Sequence, residues 1–520
     1  MSPTMKQRNA ALLITALLAS QISAQSGTLD PTYGNGGISI LQPGDLHDVA
    51  HDIVVLGDNT SLICGVARVD GRNSIFVAHL YNDGSLDASW GTSAGYTFFT
   101  IGDEAYGYAM GVDSQGRIYV TGIAYPTLAQ AVVPLVRADA SGQPDLTFGT
   151  NGVMLYPLSD TEAEARDLVV LGDDRVLLAG SAIGPDFDRD SFIMRLLEDG
   201  SPDPSFGNGG TAINDHTGDD QLNCLALMDN GNAVGAGHAN VSFVMKTVLF
   251  MVDGTGTPEN GFGNAGTLLP EIGSNDHAGW GMVASGTRVF VTGWLGVAAG
   301  IDAYVACIRS DGNFHPPFGG GDGIVTIDAN PVDNGYDIAR YSNNDLIVCG
   351  TSGESGFGVP RDFMLARLTD SGDPVMSFGL NGVTTTSIQQ DFDDANAVAI
   401  ELDGKILLAG FTSGFSTFTD NDVAVCRYDV DWTLGTVTAP VLELGAFPNP
   451  ANDDQITITH EGGANARALL RDAAGRVARD FGVVPAGSSH LSVAGLADGR
   501  YLLELRAPDR VAQHAVVIAR

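Results

Sequence analysis

An aromatic residue followed by glycine recurs through most of this chain at nearly constant spacing. The pairs are Tyr33-Gly34, Trp90-Gly91, Phe148-Gly149, Phe206-Gly207, Phe262-Gly263, Phe318-Gly319 and Phe378-Gly379. Successive aromatics stand 57, 58, 58, 56, 56 and 60 residues apart, and a degenerate copy at Trp432 follows after 54. A fixed period of this length requires a repeat architecture, in which each unit covers its apolar face with the next.

The unit is built of short strands. After Phe378-Gly379, residues 382–387, 395–401, 405–411 and 422–428 read as four strands, and Asp403-Gly404 between the second and third supplies the positive φ of a tight hairpin. Equivalent turns stand at Asp113 to Gly116 and Asp229 to Gly231. Four strands per unit without helical periodicity make a propeller blade. Runs begin near Gly37, Gly95, Gly152, Gly210, Gly266, Gly323 and Gly382. If each is the outermost strand of the preceding blade, the run at 37–41 completes the last one and closes the ring, leaving no open sheet edges. The reading is an all-β chain whose main body is a seven-bladed β-propeller.

Asp83 to Gly91 (DGSLDASWG), Asp199 to Gly207 (DGSPDPSFG) and Asp370 to Gly379 (DSGDPVMSFG) resemble the delta-60 repeat of bacterial secreted propellers, over roughly residues 27–437. The resemblance implies the propeller fold and transfers no activity. After a linker at 438–446, strands at 455–460, 466–472, 490–493 and 499–505 and a last one at 514–519 suggest a small β-sandwich. Pro448-Asn449-Pro450, the turn at Gly475, and Gly499 with Tyr501 are similar to a type A sorting domain of the type IX secretion system, over 447–520. That resemblance implies the type IX secretion machinery as a partner.

At the N-terminus, Lys6 and Arg8 precede an apolar run from Ala10 to Ala19 and a small-residue cleavage site at Ser23-Ala24. This is the pattern of a Sec signal peptide over residues 1–24, too short for a permanent membrane span, with the propeller over 25–437. The expected location is secreted, extracellular or attached to the outer surface. Export permits disulfides, but Cys64 and Cys349 share one strand position in distant repeats, as do Cys307 and Cys426, so free buried thiols are expected. A net charge of −36 excludes nucleic acid as a partner, because a polyanion would be repelled.

Loops into the second strand and between the third and fourth vary between units, and variable loops on a rigid scaffold are where binding usually resides. Counted back from each hairpin, Asp48, Glu104, Glu164, Asp220, Asp276, Asp333 and Asp393 predict a ring of carboxylates at the channel mouth, able to attract a cation or a basic ligand. The structural alternative is an acid that caps the same turn in every unit. Asp186, Asp188 and Asp190 alternate like calcium ligands, although Ser191 and Leu197 exclude an EF-hand; Asp420 and Asp422 form a second such pair. No cofactor is expected, with calcium the candidate ion. Gly91-Thr92-Ser93-Ala94-Gly95 matches a hydrolase elbow only on paper, since it falls on the repeat's turn and not between a strand and a helix. With no nucleophile, base and orienting group in view, the expectation is a non-enzymatic binding or adhesion module for an extracellular glycan, matrix polymer or protein. The alternatives are a polysaccharide-acting enzyme with its site at the channel mouth, which would need unique polar residues converging there, and a passive structural component of the envelope.

Overall fold

The computed structural model describes residues 26–430, apart from 217, 299, 356–358, 390–391 and 414–420, and seven strands with adjoining turns within 444–518. The chain divides into two compact units, Met1–Asp431 and Trp432–Arg520. Among the described residues, the first unit forms seven antiparallel four-stranded blades, with strands a to d running from the axis outward. Strand a of successive blades spans Val49–Val55, Glu104–Val112, Ala163–Val170, Asp220–Leu227, His277–Ser285, Val332–Arg340 and Phe392–Ile400. In blade 3, strands b to d follow as Val176–Ile183, Arg189–Leu196 and Thr211–Asn214. Blade 7 takes its third strand from Asn421–Asp429 and its fourth from the other end of the chain. Ile38–Leu41 pairs with it antiparallel, from Ile38 opposite Cys426 to Leu41 opposite Val423.

The repeated motif makes physical sense blade by blade. In blade 3, Asp203 accepts hydrogen bonds from the Ser205 amide (2.9 Å) and hydroxyl (2.6 Å) through one oxygen, and from Arg195 Nε (2.8 Å) through the other. The Arg195 guanidinium then lies 4.6 Å over the ring of Phe206, a cation–π contact. Gly207 follows at φ +53°, where a Cβ would stand 2.3 Å from the Thr211 carbonyl, so only glycine permits the turn. Phe206 is buried in an apolar cluster drawn from blades 3 and 4. Every interface between neighbouring blades has such a cluster, and each holds one of the anchor aromatics. The period of the sequence is thus the period of aromatic wedges between blades, each contributing about 2–3 kcal/mol by burial.

The closing interface uses the same device with parts from both ends. Tyr33 packs with Ala50, Ile63 and Phe76 of blade 1 and Leu407 and Val425 of blade 7. Ser26 to Gly34 (SGTLDPTYG) is a full copy of the motif, and the Gly379 amide donates to the Ser26 carbonyl at 2.9 Å. Asp30 accepts from Thr32 (2.7 and 2.9 Å), Lys405 (2.5 Å) and Arg427 Nε (2.9 Å), and forms an ion pair with Arg427 Nη2 at 2.8 Å. The N-terminal segment therefore restores both a strand and an anchor to the last blade.

All five cysteines are buried and unpaired, as the repeat positions imply. The second unit is a sandwich of two sheets. Gln455–His460 lies between Leu444–Phe447 and Gly487–Ser492, and the other sheet runs Val477–Val484, Ala466–Arg471, Gly499–Ala507, Arg510–Ile518. Ile456, Ile458, Leu470, Leu503, Leu505 and Val516 are among its core residues.

Candidate functional site in the central channel

Strand a of every blade carries a β-bulge at one position, between Ala50 and Asp52, Gly107 and Ala109, Ala165 and Asp167, Leu222 and Cys224, Gly279 and Gly281, Gly335 and Asp337, and Ala395 and Ala397. The residue just before each bulge faces a glycine on strand b. At Gly180 a Cβ would stand 2.0 Å from the Glu164 carbonyl, so the two backbones touch where a side chain would normally separate them. The bulge turns one extra residue per blade out of the ladder and re-aims it. These residues are His51, Tyr108, Arg166, Asn223, Trp280, Tyr336 and Asn396, and together they line a cavity of about 360 Å³ to which every blade contributes. The backbone repeats sevenfold, while the side chains at this position form a set of aromatic, cationic and amide groups with no sevenfold pattern.

They are held in place by one another and by the next blade. His51 meets the Tyr108 ring edge-on at 5.3 Å, the Arg166 guanidinium lies 4.4 Å over the same ring, and Trp280 and Tyr336 form a second edge-to-face pair at 6.1 Å. Asn223 Nδ2 donates to the Gly279 carbonyl and Asn396 Nδ2 to the Ala50 carbonyl, both at 2.8 Å. Trp280 Nε1 and Asn223 Oδ1, on adjacent blades, are left without partners. Burial, with lesser contributions from the charges of Arg166 and His47, pushes His51 down to about 3, so it is neutral at physiological pH.

Three carboxylates stand one residue further along. Asp52 accepts from the Ile53 (2.7 Å) and Met110 (2.6 Å) amides, Asp167 from Leu168 (2.7 Å) and Leu225 (2.6 Å), and Asp337 from Ile338 (2.7 Å) and Val398 (2.9 Å). In each case one amide belongs to the same strand and the other to the following blade, so the acids stitch blades together. Burial raises all three above the ordinary carboxylate range, Asp167 to about 7.

The predicted ring of seven equivalent acids is corrected by the register. Counting from the residue opposite the strand-b glycine, Asp48, Asp220, Asp333 and Asp393 share one position, which His277 fills in blade 5 and Ala105 and Ala163 fill in blades 2 and 3. Glu104, Glu164 and Asp276 are each displaced by one residue, because a count back from the hairpin absorbs differences between units that pairing does not. The four equivalent aspartates are buried caps of the loop that precedes strand a. Asp48 accepts from the Gly44 amide (2.9 Å), Asp220 from His216 (3.0 Å), Asp333 from Ala329 (2.7 Å) and Asn330 (3.0 Å), and Asp393 from Ile388 (2.7 Å). Glu104 accepts from the Tyr106 hydroxyl at 2.7 Å, Glu164 pairs with Arg166 at 3.0 Å, and exposed Asp276 accepts from the Met245 amide at 2.9 Å.

Asp186, Asp188 and Asp190 do come together, the first two in the loop joining strands b and c of blade 3 and the third at the start of strand c. Asp422 accepts from Gln42 Nε2 at 2.9 Å, while Asp420 lies outside the described residues. So do Pro448, Asn449, Pro450 and Gly475. Gly499 opens a strand of the sandwich, and Tyr501 on that strand donates its hydroxyl to the Ala497 carbonyl at 2.9 Å.

Residues 171–206, strands b and c of blade 3 with its anchor turn, match the family described as "Domain of unknown function (DUF5122) beta-propeller". No curated protein matches the chain. Solved structures similar to it include Sqt1 from Chaetomium thermophilum (13% identity, TM-score 0.37, covering 93% of this chain and 98% of that one). A glucose dehydrogenase (12%, TM-score 0.32, 58% and 95%) and a glycoside hydrolase (10%, TM-score 0.29, 93% and 96%) also align.

Proposed function

We propose that this propeller is a secreted or surface-attached binding module whose central channel takes the end or a projecting residue of an extracellular glycan. The observation that carries the reading is the bulge position, where aromatic faces and amide and guanidinium donors meet in a cavity of about 360 Å³. That volume lies near the lower end of ligand pockets, the scale of a single sugar ring. Apolar sugar faces pack on aromatic rings such as Tyr108, Trp280 and Tyr336, while hydroxyls suit the Arg166 guanidinium on the same lining. Binding is favoured over catalysis because Asp52, Asp167 and Asp337 already spend their oxygens on backbone amides. A general acid or base needs a free oxygen within reach of the substrate.

The test is a glycan array with the full chain, followed by calorimetry on each hit for the native protein, Trp280→Ala and Arg166→Ala. Saturable binding weakened about tenfold or more by either substitution supports the channel, since one lost aromatic or charged contact is worth at least about 1.4 kcal/mol. Binding untouched by both would place the ligand elsewhere, and turnover of a hit would favour the enzymatic reading.

Export by Sec and then by type IX secretion is part of the same proposal, supported by the Lys6 to Ala24 leader pattern and the resemblance of 447–520 to a sorting domain. N-terminal sequencing of the exported chain should begin at Gln25, and mass spectrometry should show the loss of the C-terminal unit. An intracellular, full-length product would refute it.

A further inference from the structure

We infer that the loop joining strands b and c of blade 3 is a binding site for one divalent cation of the calcium class, ligated by Asp186, Asp188 and Asp190 and backed by Asp220. Oxygens of the first three lie within 4.8 Å of one another. Ligands on opposite sides of a calcium ion stand about 4.6–5.2 Å apart, twice the usual 2.3–2.6 Å bond, so these oxygens are spaced to surround one ion.

The cluster differs from a patch of solvated surface acids in several ways. Asp190 is only 9% exposed and its Oδ1 has no hydrogen-bond partner, nor has Asp188 Oδ1. Asp220 is fully buried, one oxygen capping the His216 amide and the other, Oδ1, unpartnered. Its equivalents Asp333 and Asp393 leave the same oxygen unpartnered, so what sets Asp220 apart is its neighbourhood. The two loops are in contact, because the Arg189 amide donates to Asp219 Oδ1 at 3.0 Å. Asp215 adjoins Asn214, which pairs with Ser191 beside Asp190.

A buried unpaired carboxylate is costly and normally takes up a proton or a cation. The arginine of the loop does not supply that cation: Arg189 turns its guanidinium to Glu162 at 2.6 Å and Glu164 at 3.6 Å. Gly184 keeps the space open, since a Cβ there would lie 2.3 Å from Asp190 Oδ2 and 3.0 Å from Asp186 Oδ1. An all-oxygen carboxylate set selects a hard cation, and a short loop with irregular geometry suits calcium better than the strict octahedron of magnesium.

Asp190 also lines a groove of about 620 Å³ shared with Leu158, Pro185, Phe187 and Ile213. Phe187, between two of the ligands, is 87% exposed at φ +70°, so an ion that fixes the loop also fixes this ring at the groove's edge.

The experiment is calorimetric titration of calcium into the chelator-treated full chain, alongside its melting temperature with and without the ion. One ion per chain is expected, with a dissociation constant on the order of 10⁻⁵–10⁻³ M as in sensor and extracellular sites. Asp190→Asn with Asp188→Asn should weaken it at least tenfold, Asp220→Asn should weaken it less, and Asp422→Asn should leave it unchanged. If the double variant does not fold, exposed Asp186→Asn serves in its place. No saturable binding, or binding that survives these substitutions, overturns the inference. Neither outcome bears on glycan binding in the channel, which is read separately.

Discussion

Asp30→Ala should be among the most destabilising single changes in the propeller, although Asp30 lies only a few residues from the start of the described chain. The residue is 1% exposed and accepts four hydrogen bonds, two from Thr32 on one oxygen and one each from Lys405 and Arg427 Nε on the other, where Arg427 Nη2 also stands at ion-pair distance. Burial by itself would raise its carboxyl, but the bonds from Lys405 and Thr32 and the charge of Arg427 outweigh this and hold it well below the usual range. Removing one partner of a buried ion pair costs roughly 3–5 kcal/mol, chiefly through the charge left behind. Arg427 would keep Glu401 at 3.4 Å, its bonds to Asn82 and its stacking on Tyr33, so the lower end, about 3 kcal/mol, is expected. That is roughly a hundredfold in the unfolding equilibrium.

Asp203→Ala breaks the same constellation inside blade 3, where chain continuity holds the parts together, while Asp139→Ala removes only an exposed turn acid. Urea titration should therefore shift the midpoint strongly for Asp30→Ala and Asp203→Ala and little for Asp139→Ala. Limited proteolysis should cut within residues 27–45 in Asp30→Ala alone, since only there does the lost contact hold a chain end in a distant blade. The sign with pH also follows. A depressed folded-state value stabilises above the unfolded value near 3.9 and is lost as pH falls below it, so native protein and Asp30→Ala should converge in acid. An Asp30→Ala midpoint no lower than that of Asp139→Ala would refute the reasoning.

Asp52, Asp167, Asp220 and Asp337 all titrate above the ordinary carboxylate range through burial, Asp167 at about 7 and Asp220 at about 8. These carboxyls therefore hold more protons in the native state than in the unfolded chain, while His51 and His277, held down by burial at about 3 and about 4, hold fewer below their ordinary value of 6.5; above it the carboxyls act alone, so urea midpoints in chelator should be lower at about pH 8 than at about pH 6.5, and a midpoint that rises over that range would contradict the assignment. The five thiols, buried and unpaired, should resist a disulfide reagent in the native protein and all react after denaturation; fewer than five in the denatured chain would reveal a disulfide. Gly180→Ala should cost more than about 3 kcal/mol or prevent folding, since its Cβ would meet the Glu164 carbonyl at 2.0 Å and the backbone of Ala165 at 2.7 Å. Soluble, native-like expression of that variant would show that strands a and b can separate.

The parts of this molecule legible in the sequence are those that repeat. Phe206, Gly207, Asp203 and Ser205 recur because each interface between blades needs a wedge, a turn and a cap, and counting them gives both the blade number and the closure by 38–41. The channel residues were hidden by the bulge. It adds one residue to strand a and breaks the alternation by which inward and outward positions are told apart, so His51 or Trp280 looks like any other strand residue. The count back from the hairpin, loose by one residue, misplaced Glu104, Glu164 and Asp276. An alignment of the seven units on the strand-b glycine would have exposed the channel, because the column beginning His51, Tyr108, Arg166 is polar or aromatic throughout, with no fixed residue. The neighbourhood of Asp220 could not be read from sequence, since it depends on the loop before strand a of blade 4 meeting Arg189 of blade 3.

Repetition and specificity occupy adjacent residues of the same strand. At the bulge the side chain leaves the ladder and enters the channel, so its identity is free of the apolar wedges between blades, although Asn223 and Asn396 each bond a carbonyl of the next blade. One residue later, Asp52, Asp167 and Asp337 reach amides of the next blade, and Cys224 and Ala397 enter the apolar clusters. Those positions are tied to packing. The propeller can therefore vary the chemistry of its axis blade by blade at small cost in stability, because the aromatic wedges and inter-blade carboxylates do not depend on it. The loop of blade 3 applies the same economy: strands b and c keep their pairing from Val176 opposite Leu196 to Ile183 opposite Arg189, with Asp186 and Asp188 in the turn beyond it and Asp190 at the last-but-one pair, opposite Ala182. Both candidate sites thus lie where the repeat releases the chain from its packing duties.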